Sequence, residues 1–195
     1  MDLSKLFEMQ RELDERIVRE KGLEGQSLLP NKILALQVEL GELANEWRGF
    51  KYWSKNQQPR LWAYRKCPCG GEWCDEYGCQ DGGLLAYNPL LEEYVDALHF
   101  ALSIGLEIKH DVTQYNYYSW DKYVSITELI STLIKTCYVI GEELHHDLQT
   151  QIQMYILFLC RFITLGEKLG FTWEQVEEAY MKKNAVNHHR QESGY

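Results

Sequence analysis

Two acidic pairs constrain this chain most, because each lies inside a segment with the apolar periodicity of an α-helix. The pairs are Glu39 with Glu42 and Glu93 with Asp96, both spaced i, i+3. On a helix this spacing puts both carboxylates of a pair on one side. Four such charges brought together inside a helical protein repel one another unless a cation binds between them. Mg²⁺ prefers oxygen ligands of this kind, and Mg²⁺ held by carboxylates commonly binds phosphates as well.

Helical periodicity also dominates the rest of the chain. Thr172 and Gln175 have the spacing of a capping box that opens a last helix. No strand-like alternation is sustained anywhere. The sequence therefore predicts a single all-α domain over residues 1–195, a helical bundle. The earlier helices are predicted from apolar residues that recur every three or four positions, near residues 2–21, 30–50, 89–108, 126–145 and 148–169.

Composition excludes some classes of partner. The chain of 195 residues has a formal net charge of −9, which argues against binding to nucleic acid or to an anionic membrane. No apolar run is long enough to span a bilayer, and no signal sequence is visible at the N-terminus. We therefore expect a cytoplasmic protein without a nucleic-acid or membrane partner.

A Cys-rich segment interrupts the helical pattern between about residues 54 and 88. It contains Cys67, Cys69, Cys74 and Cys79, and it is predicted to form an inserted loop or knuckle. Four thiolates suit a tetrahedral structural zinc ion. The spacing differs from the common pair of CxxC knuckles, so free or transiently oxidised thiols in a flexible loop are the alternative. A zinc ion there is expected to be structural and remote from the acidic pairs.

Two polar residues fall on inward helical faces. Gln10 shares a stripe with Leu6 and Leu13, and spacing alone favours a satisfied core amide over a ligand contact. His99 follows Asp96 by one turn, where a hydrogen-bonded histidine near the core is the commoner case.

The last helix carries a polar face near its end. Lys183, Asn187 and Arg190 are spaced by four and three residues, so they share one side. Such a face is a candidate phosphate clamp. The alternative is an ordinary basic C-terminal turn that complements the helix dipole.

Together these features resemble the all-α nucleoside triphosphate pyrophosphatases, the MazG-like superfamily, and within it the dimeric dUTPases. The likeness spans nearly the whole chain apart from the cysteine insertion. In that family the two acidic pairs are often closer in sequence, and an insertion whose ends meet accounts for the greater separation here. The stretches that carry the resemblance are Met9–Asp14, Glu39–Trp47 with Phe50–Trp53, Glu92–Phe100 and Tyr180–Tyr195.

The resemblance implies a homodimeric enzyme that hydrolyses dUTP to dUMP and pyrophosphate. Glu39, Glu42, Glu93 and Asp96 match the family's ligands for two or three Mg²⁺ ions. One of the first two glutamates is expected to act as base toward a metal-activated water, which attacks the β-phosphorus.

The resemblance also implies substrate contacts. Gln10 matches a glutamine that reads the uracil edge, which reverses the weighting from spacing alone. His99 matches a position that lines the deoxyribose site. Four residues near the C-terminus match positions that contact the sugar or the phosphates: Lys183, Asn184, Asn187 and Arg190. Three residues after the first acidic pair match positions that form a wall near the base or contact a phosphate: Trp47, Lys51 and Trp53.

Three alternatives stay open from the sequence. The first is a pyrophosphatase for another nucleotide such as dCTP, because base choice depends on few residues. The second is a di-iron carboxylate bundle, although such sites need Glu-x-x-His on two helices and Asp96 with His99 offers one partial match. The third is a non-catalytic helical regulator that binds another protein.

Overall fold

The structure, a computed structural model, describes residues 3–66, 84–108, 117–118, 123–142 and 147–192. Within these residues the chain is built almost entirely from helices, which confirms the all-α prediction. The helices are α1 (Ser4–Lys21), α2 (Leu29–Trp47), α3 (Pro89–Glu107), α4 (Ile126–Gly141), α5 (Leu148–Lys168) and α6 (Trp173–Glu192).

Local chemistry explains where the helices begin and end. The predicted capping box of α6 is present, since the Thr172 amide donates to Gln175 Oε1 at 2.9 Å and the Gln175 amide donates to Thr172 Oγ1 at 3.3 Å. Helix α2 ends at Trp47, three residues before the predicted Phe50. Its end is set by Arg48, whose φ of 64° is left-handed and cannot continue an α-helix.

Helix α3 lies in the middle of the bundle. It packs against α1, α2, α5 and α6, and it is buried along most of its length. At Gly105 it lies so close to α5 that a Cβ atom there would clash with Tyr155 Oη. Tyr155 donates to Ala101 O at 3.0 Å. Both acidic pairs are thereby fixed on rigid elements, because α2 and α3 share this core. No described helix is both long and apolar enough to cross a bilayer.

A short antiparallel hairpin frames the insertion, where the sequence sustains no strand-like alternation. Strand β1 (Ala63–Lys66) pairs with β2 (Leu84–Tyr87), so that Ala63 lies opposite Tyr87 and Lys66 opposite Leu84. Neither strand alternates apolar and polar residues, so this signal for a strand is missing from both. The pairing brings the ends of the insertion together. The predicted zinc ligands Cys67, Cys69, Cys74 and Cys79 lie outside the described residues.

Candidate active site

Three of the four predicted metal ligands converge where α2 packs against α3. Carboxylate oxygens of Glu39, Glu42 and Glu93 all lie within 4.8 Å of one another. The spacing of Glu39 and Glu42 puts both on the side of α2 that faces α3. Glu93, in the first turns of α3, lies opposite them. We call these three residues together with Asp96 the acidic cluster.

Asp96 takes part in the cluster differently from the other three. Its Oδ2 atom lies 2.5 Å from the ammonium of Lys183 on α6. The same ammonium is 3.5 Å from Glu92 Oε1. Asp96 therefore has a cationic partner within the protein, whereas Glu39, Glu42 and Glu93 face one another.

The electrostatics of the cluster follow from this arrangement. Burial, followed by Asp96 and Glu42, raises the pKa of Glu39 to about 7. Burial, followed by the same two neighbours, also raises the pKa of Glu93 to about 7. Burial raises the pKa of Asp96 as well, although Lys183 opposes that change. Since neighbouring carboxylates disfavour the ionisation of Glu39 and Glu93, a bound cation would stabilise the group.

Two arginines that the sequence reasoning missed hold acidic residues beside the cluster. Arg60 Nε lies 3.2 Å from Glu46 Oε2, and Arg65 Nη1 lies 2.8 Å from Glu92 Oε1. The backbone of Arg60 also joins the end of α2 to the start of α3, through bonds to Glu46 O at 3.0 Å and from the Leu90 amide at 3.2 Å. Arg60 lies in the irregular segment before β1 and Arg65 lies in β1. Hydrophobic periodicity does not indicate the position of either residue.

The polar face of α6 lies beside the acidic cluster. Lys183 contacts Asp96 directly, and Arg190 is near enough to act against the rise in the pKa of Asp96. Arg190 Nη1 also lies 3.5 Å from Asn187 Oδ1. Cations therefore adjoin the acidic cluster on this side, as the phosphate-clamp hypothesis requires.

Gln10 and His99 meet in a buried hydrogen-bond group. Gln10 Oε1 accepts from Tyr180 Oη at 2.8 Å and lies 2.7 Å from His99 Nδ1, while Gln10 Nε2 donates to Asp14 Oδ1 at 2.7 Å. The ring of His99 stacks on Tyr180 with centroids 4.0 Å apart. In this structure Gln10 is thus the satisfied core amide that its spacing suggested, and its role toward uracil stays a prediction.

Two atoms in the same region have no hydrogen-bond partner within the described parts of the chain. They are His99 Nε2 and Asn184 Nδ2, and both are fully shielded from solvent. The side chains of His99 and Asn184 are only 6% and 4% exposed. Unpaired buried polar atoms are costly, so these two are candidate contacts for a ligand.

The aromatic and basic residues after α2 form a separate group. Trp53 is 65% exposed and packs edge-on against Phe50 and Tyr52. The Lys51 ammonium lies 5.6 Å from the centroid of the Phe50 ring. Trp47 is partly buried against the core. The aromatic contacts of Trp53 and the cation–π contact of Lys51 are therefore made with residues 50–53.

A family model described as dUTPase matches residues 2–65 and 84–195. The chain belongs to this dUTPase family. It is a dUTP diphosphatase, and enzymes of this kind act on dUTP with a divalent metal ion. The match omits residues 66–83, which begin at the end of β1. No curated protein matches this dUTPase in the sequence search.

Family membership also bears on the alternatives. It favours the enzyme over a non-catalytic regulator, and dUTP over dCTP. The partial Asp96-x-x-His99 likeness to a di-iron site is not supported by the geometry. His99 Nδ1 is hydrogen-bonded to Gln10 Oε1, and His99 is not among the residues that converge with the three carboxylates.

Proposed function

We propose that this dUTPase hydrolyses dUTP to dUMP and pyrophosphate in a Mg²⁺-dependent reaction at the acidic cluster. The observation that carries the proposal is the convergence of Glu39, Glu42 and Glu93 within 4.8 Å. Oxygen-only ligands suit a hard divalent cation, and burial and neighbouring carboxylates raise the pKa values of Glu39 and Glu93. Asp96 completes the set once Lys183 moves to a phosphate, and the family resemblance suggests two or three ions.

Magnesium supplies charge neutralisation and makes bound water more acidic. The chain supplies the base, and we assign that role to the first acidic pair. Glu42 suits it best because it is the most exposed of the three converging carboxylates. The water oxygen forms a bond to the β-phosphorus as its proton passes to the base. The bond from the β-phosphorus to the oxygen that bridges to the α-phosphorus breaks, and dUMP leaves with that oxygen.

The triphosphate is proposed to lie between the acidic cluster and α6. Lys183 and Arg190 provide positive charge there, and Asn187 provides an amide. Lys183 already lies against Asp96, so a small side-chain movement brings its ammonium to a phosphate. Charge-assisted bonds of this kind stabilise charge that develops on the leaving group.

The nucleoside is proposed to lie beside Gln10, His99 and Asn184. The unpaired His99 Nε2 and Asn184 Nδ2 offer a hydrogen-bond acceptor and a donor. A nucleoside that supplies the complementary pair would satisfy both. Trp47, Lys51 and Trp53 follow α2 directly, and we assign them to the outer wall of the site.

A homodimer is supported by an exposed apolar strip on α2 and α4. Leu34 and Val38, spaced i, i+4, are 62% and 50% exposed, and Tyr138 is 60% exposed. Gln37 Nε2 donates to Ile134 O at 3.3 Å, which brings this side of α2 against α4. Much of helix α5 is buried within its own subunit. Light scattering of wild type and of a Leu34→Glu variant tests this, since the variant should be monomeric.

A cytoplasmic location and a single domain remain part of the proposal. Cys137 and Cys160 are buried free thiols, which fits a reducing compartment. The helices share one hydrophobic core, which fits one domain with an inserted segment. Cell fractionation and limited proteolysis test the two points.

A nucleotide panel tests the function. Pyrophosphate release should be fastest from dUTP, should require Mg²⁺ and should stop with a chelator. Faster release from dCTP would overturn the uracil assignment. Turnover of dUTP that persists in the chelator would overturn the metal-dependent mechanism.

A further inference from the structure

Asp14 is the centre of a buried polar group that joins three helices. On one side its Oδ1 atom accepts from Gln10 Nε2 at 2.7 Å. On the other side its Oδ2 atom accepts from Lys32 Nζ at 3.2 Å and from Ser103 Oγ at 2.5 Å. Lys32 also lies 2.8 Å from Glu107 Oε2. The donors come from α1, α2 and α3, so packing of these helices holds the carboxylate in place. We call Gln10, Asp14, Lys32, His99 and Ser103 the amide network.

The carboxylate of Asp14 decides which way the Gln10 amide points. An ionised carboxylate accepts hydrogen bonds and donates none. Gln10 must therefore turn its NH₂ group toward Asp14 and its carbonyl oxygen toward Tyr180 and His99. The flipped amide would set its oxygen against the carboxylate and would lose these bonds.

The orientation of Gln10 in turn decides the protonation of His99. A carbonyl oxygen only accepts, so the contact of 2.7 Å requires that His99 Nδ1 carries a hydrogen. Burial, followed by Lys183, lowers the pKa of His99 to about 3, and the ring is neutral. Its other nitrogen, Nε2, is then a bare acceptor, and it is the atom that has no partner within the described chain.

We propose that Asp14, held by Lys32 and Ser103, is a positioning residue that fixes the His99 tautomer, and that His99 Nε2 accepts a hydrogen bond from the nucleoside of dUTP. This inference rests on the proposed function, because it assumes that the nucleoside lies beside His99. Two groups of dUTP can donate, the imide N–H of uracil and the 3′-hydroxyl. Cytosine lacks the first, and a 2′,3′-dideoxyuridine triphosphate lacks the second.

Kinetics of the Asp14→Leu variant test the inference. One lost hydrogen bond corresponds to a decrease of about tenfold in kcat/KM for dUTP, expressed mainly in KM. The decrease should be smaller for the analogue that lacks the donor, dCTP or the dideoxy compound, and this identifies the donor. An equal decrease for all three substrates would overturn the proposal. Mn²⁺ affinity measured by calorimetry should stay unchanged, since the acidic cluster is intact.

A spectroscopic readout on the folded variants keeps the test independent of activity. Long-range ¹⁵N–¹H spectra of the imidazoles should show neutral His99 with hydrogen on Nδ1 in wild type. Asp14→Leu should populate the other tautomer, whereas Lys32→Arg, which keeps the carboxylate and its cation, should preserve the wild-type signal. Glu8→Leu serves as the matched control, because Glu8 is an exposed acid on the same helix.

The two proposals fail in different ways. If wild-type His99 carries its hydrogen on Nε2, the positioning role is wrong even when dUTP is hydrolysed. If the tautomer is as expected but dUTP is not hydrolysed, the proposed function is wrong and the assignment of Asp14 as a residue for nucleoside binding falls with it.

Discussion

The acidic cluster and the amide network are both built from polar side chains on packed helices, yet they are satisfied to different degrees. In the amide network, Asp14 has three donors and the Gln10 amide has three partners. In the acidic cluster, three carboxylates face one another, and Asp96 alone contacts a lysine. Within the described residues, His99 Nε2 is the atom of the first region that has no partner, whereas the second region is the one that we propose to bind a cation.

This difference indicates that the two regions have different roles in the site. A fully paired network is rigid and sets the direction of the few atoms it leaves free. A group of unpaired carboxylates stores electrostatic repulsion that a cation relieves on binding. Substitutions in the two regions should therefore have opposite effects on stability, and the following predictions test that contrast.

The largest effect is expected for Glu42→Gln. It removes one charge and one ligand from the acidic cluster, and turnover of dUTP should fall on the order of 100- to 1000-fold. The free energy of unfolding should not fall, because a repulsive charge has been removed. Pyrophosphate release and urea unfolding measure the two quantities. Glu8→Gln, an exposed site on α1, is the control, and a variant at Glu42 as active as this control would exclude the metal-site assignment.

A smaller loss is expected for Lys183→Met, which removes a proposed phosphate contact. One charge-assisted hydrogen bond corresponds to a decrease of about 10- to 100-fold in kcat/KM for dUTP. Steady-state kinetics measure it. Lys182→Met changes the neighbouring lysine, which is exposed and pairs with Glu178. If both variants lose activity equally, the effect comes from the general charge of α6 and not from the contact.

Gln10→Leu should lower stability, in contrast to changes in the acidic cluster. It leaves Tyr180, His99 and Asp14 each short of a buried hydrogen bond, and we expect a loss of about 1–3 kcal/mol in the free energy of unfolding. Urea unfolding without metal measures it. Gln153→Leu makes the same substitution at an exposed position of α5. A loss no greater than that of the control would show that the network is not tightly formed in solution.

The smallest effect concerns pH. The pKa of Glu93 is raised to about 7 in the folded protein, so its protonated form favours folding. That stability is fully present below pH 4.5, the ordinary value, and is lost as the pH rises through about 7. Metal-free Glu93→Gln should therefore melt a few degrees above wild type at pH 8, by about 2–4 °C for each ~1 kcal/mol, and near wild type at pH 4.5.

Thermal scans with added Mg²⁺ complete this test. Mg²⁺ should raise the melting temperature of wild type at pH 8, because it binds the folded state, and should raise that of the variant less. A variant that melts below metal-free wild type at pH 8 would contradict the idea that the cluster is self-repulsive.

The sequence predicted those features that depend on spacing within one helix. The pairs Glu39–Glu42 and Glu93–Asp96 could be assigned to one side of each helix, and the capping box of α6 was evident from Thr172 and Gln175. Contacts between residues that are far apart in the sequence could not be predicted from spacing. The partner of Asp96 is 87 residues away.

Other features were missed because they have no local pattern. The pairs Arg60–Glu46 and Arg65–Glu92 come from an irregular segment and a short strand. The two strands of the hairpin are separated by residues 67–83, and a pairing across that interval leaves no trace in periodicity. For Gln10, spacing suggested a core amide and the family suggested a ligand contact. The structure shows the core amide, and the ligand contact stays a prediction.

The hairpin makes the chain modular at one point. Because Lys66 and Leu84 are cross-strand partners, the polypeptide departs from the bundle and rejoins it at neighbouring positions. Chain connectivity alone therefore sets no length for the residues in between. A designer could replace that stretch with a two-residue turn, or with an unrelated folded module whose termini lie close together, and expect the enzyme's helices to assemble as before.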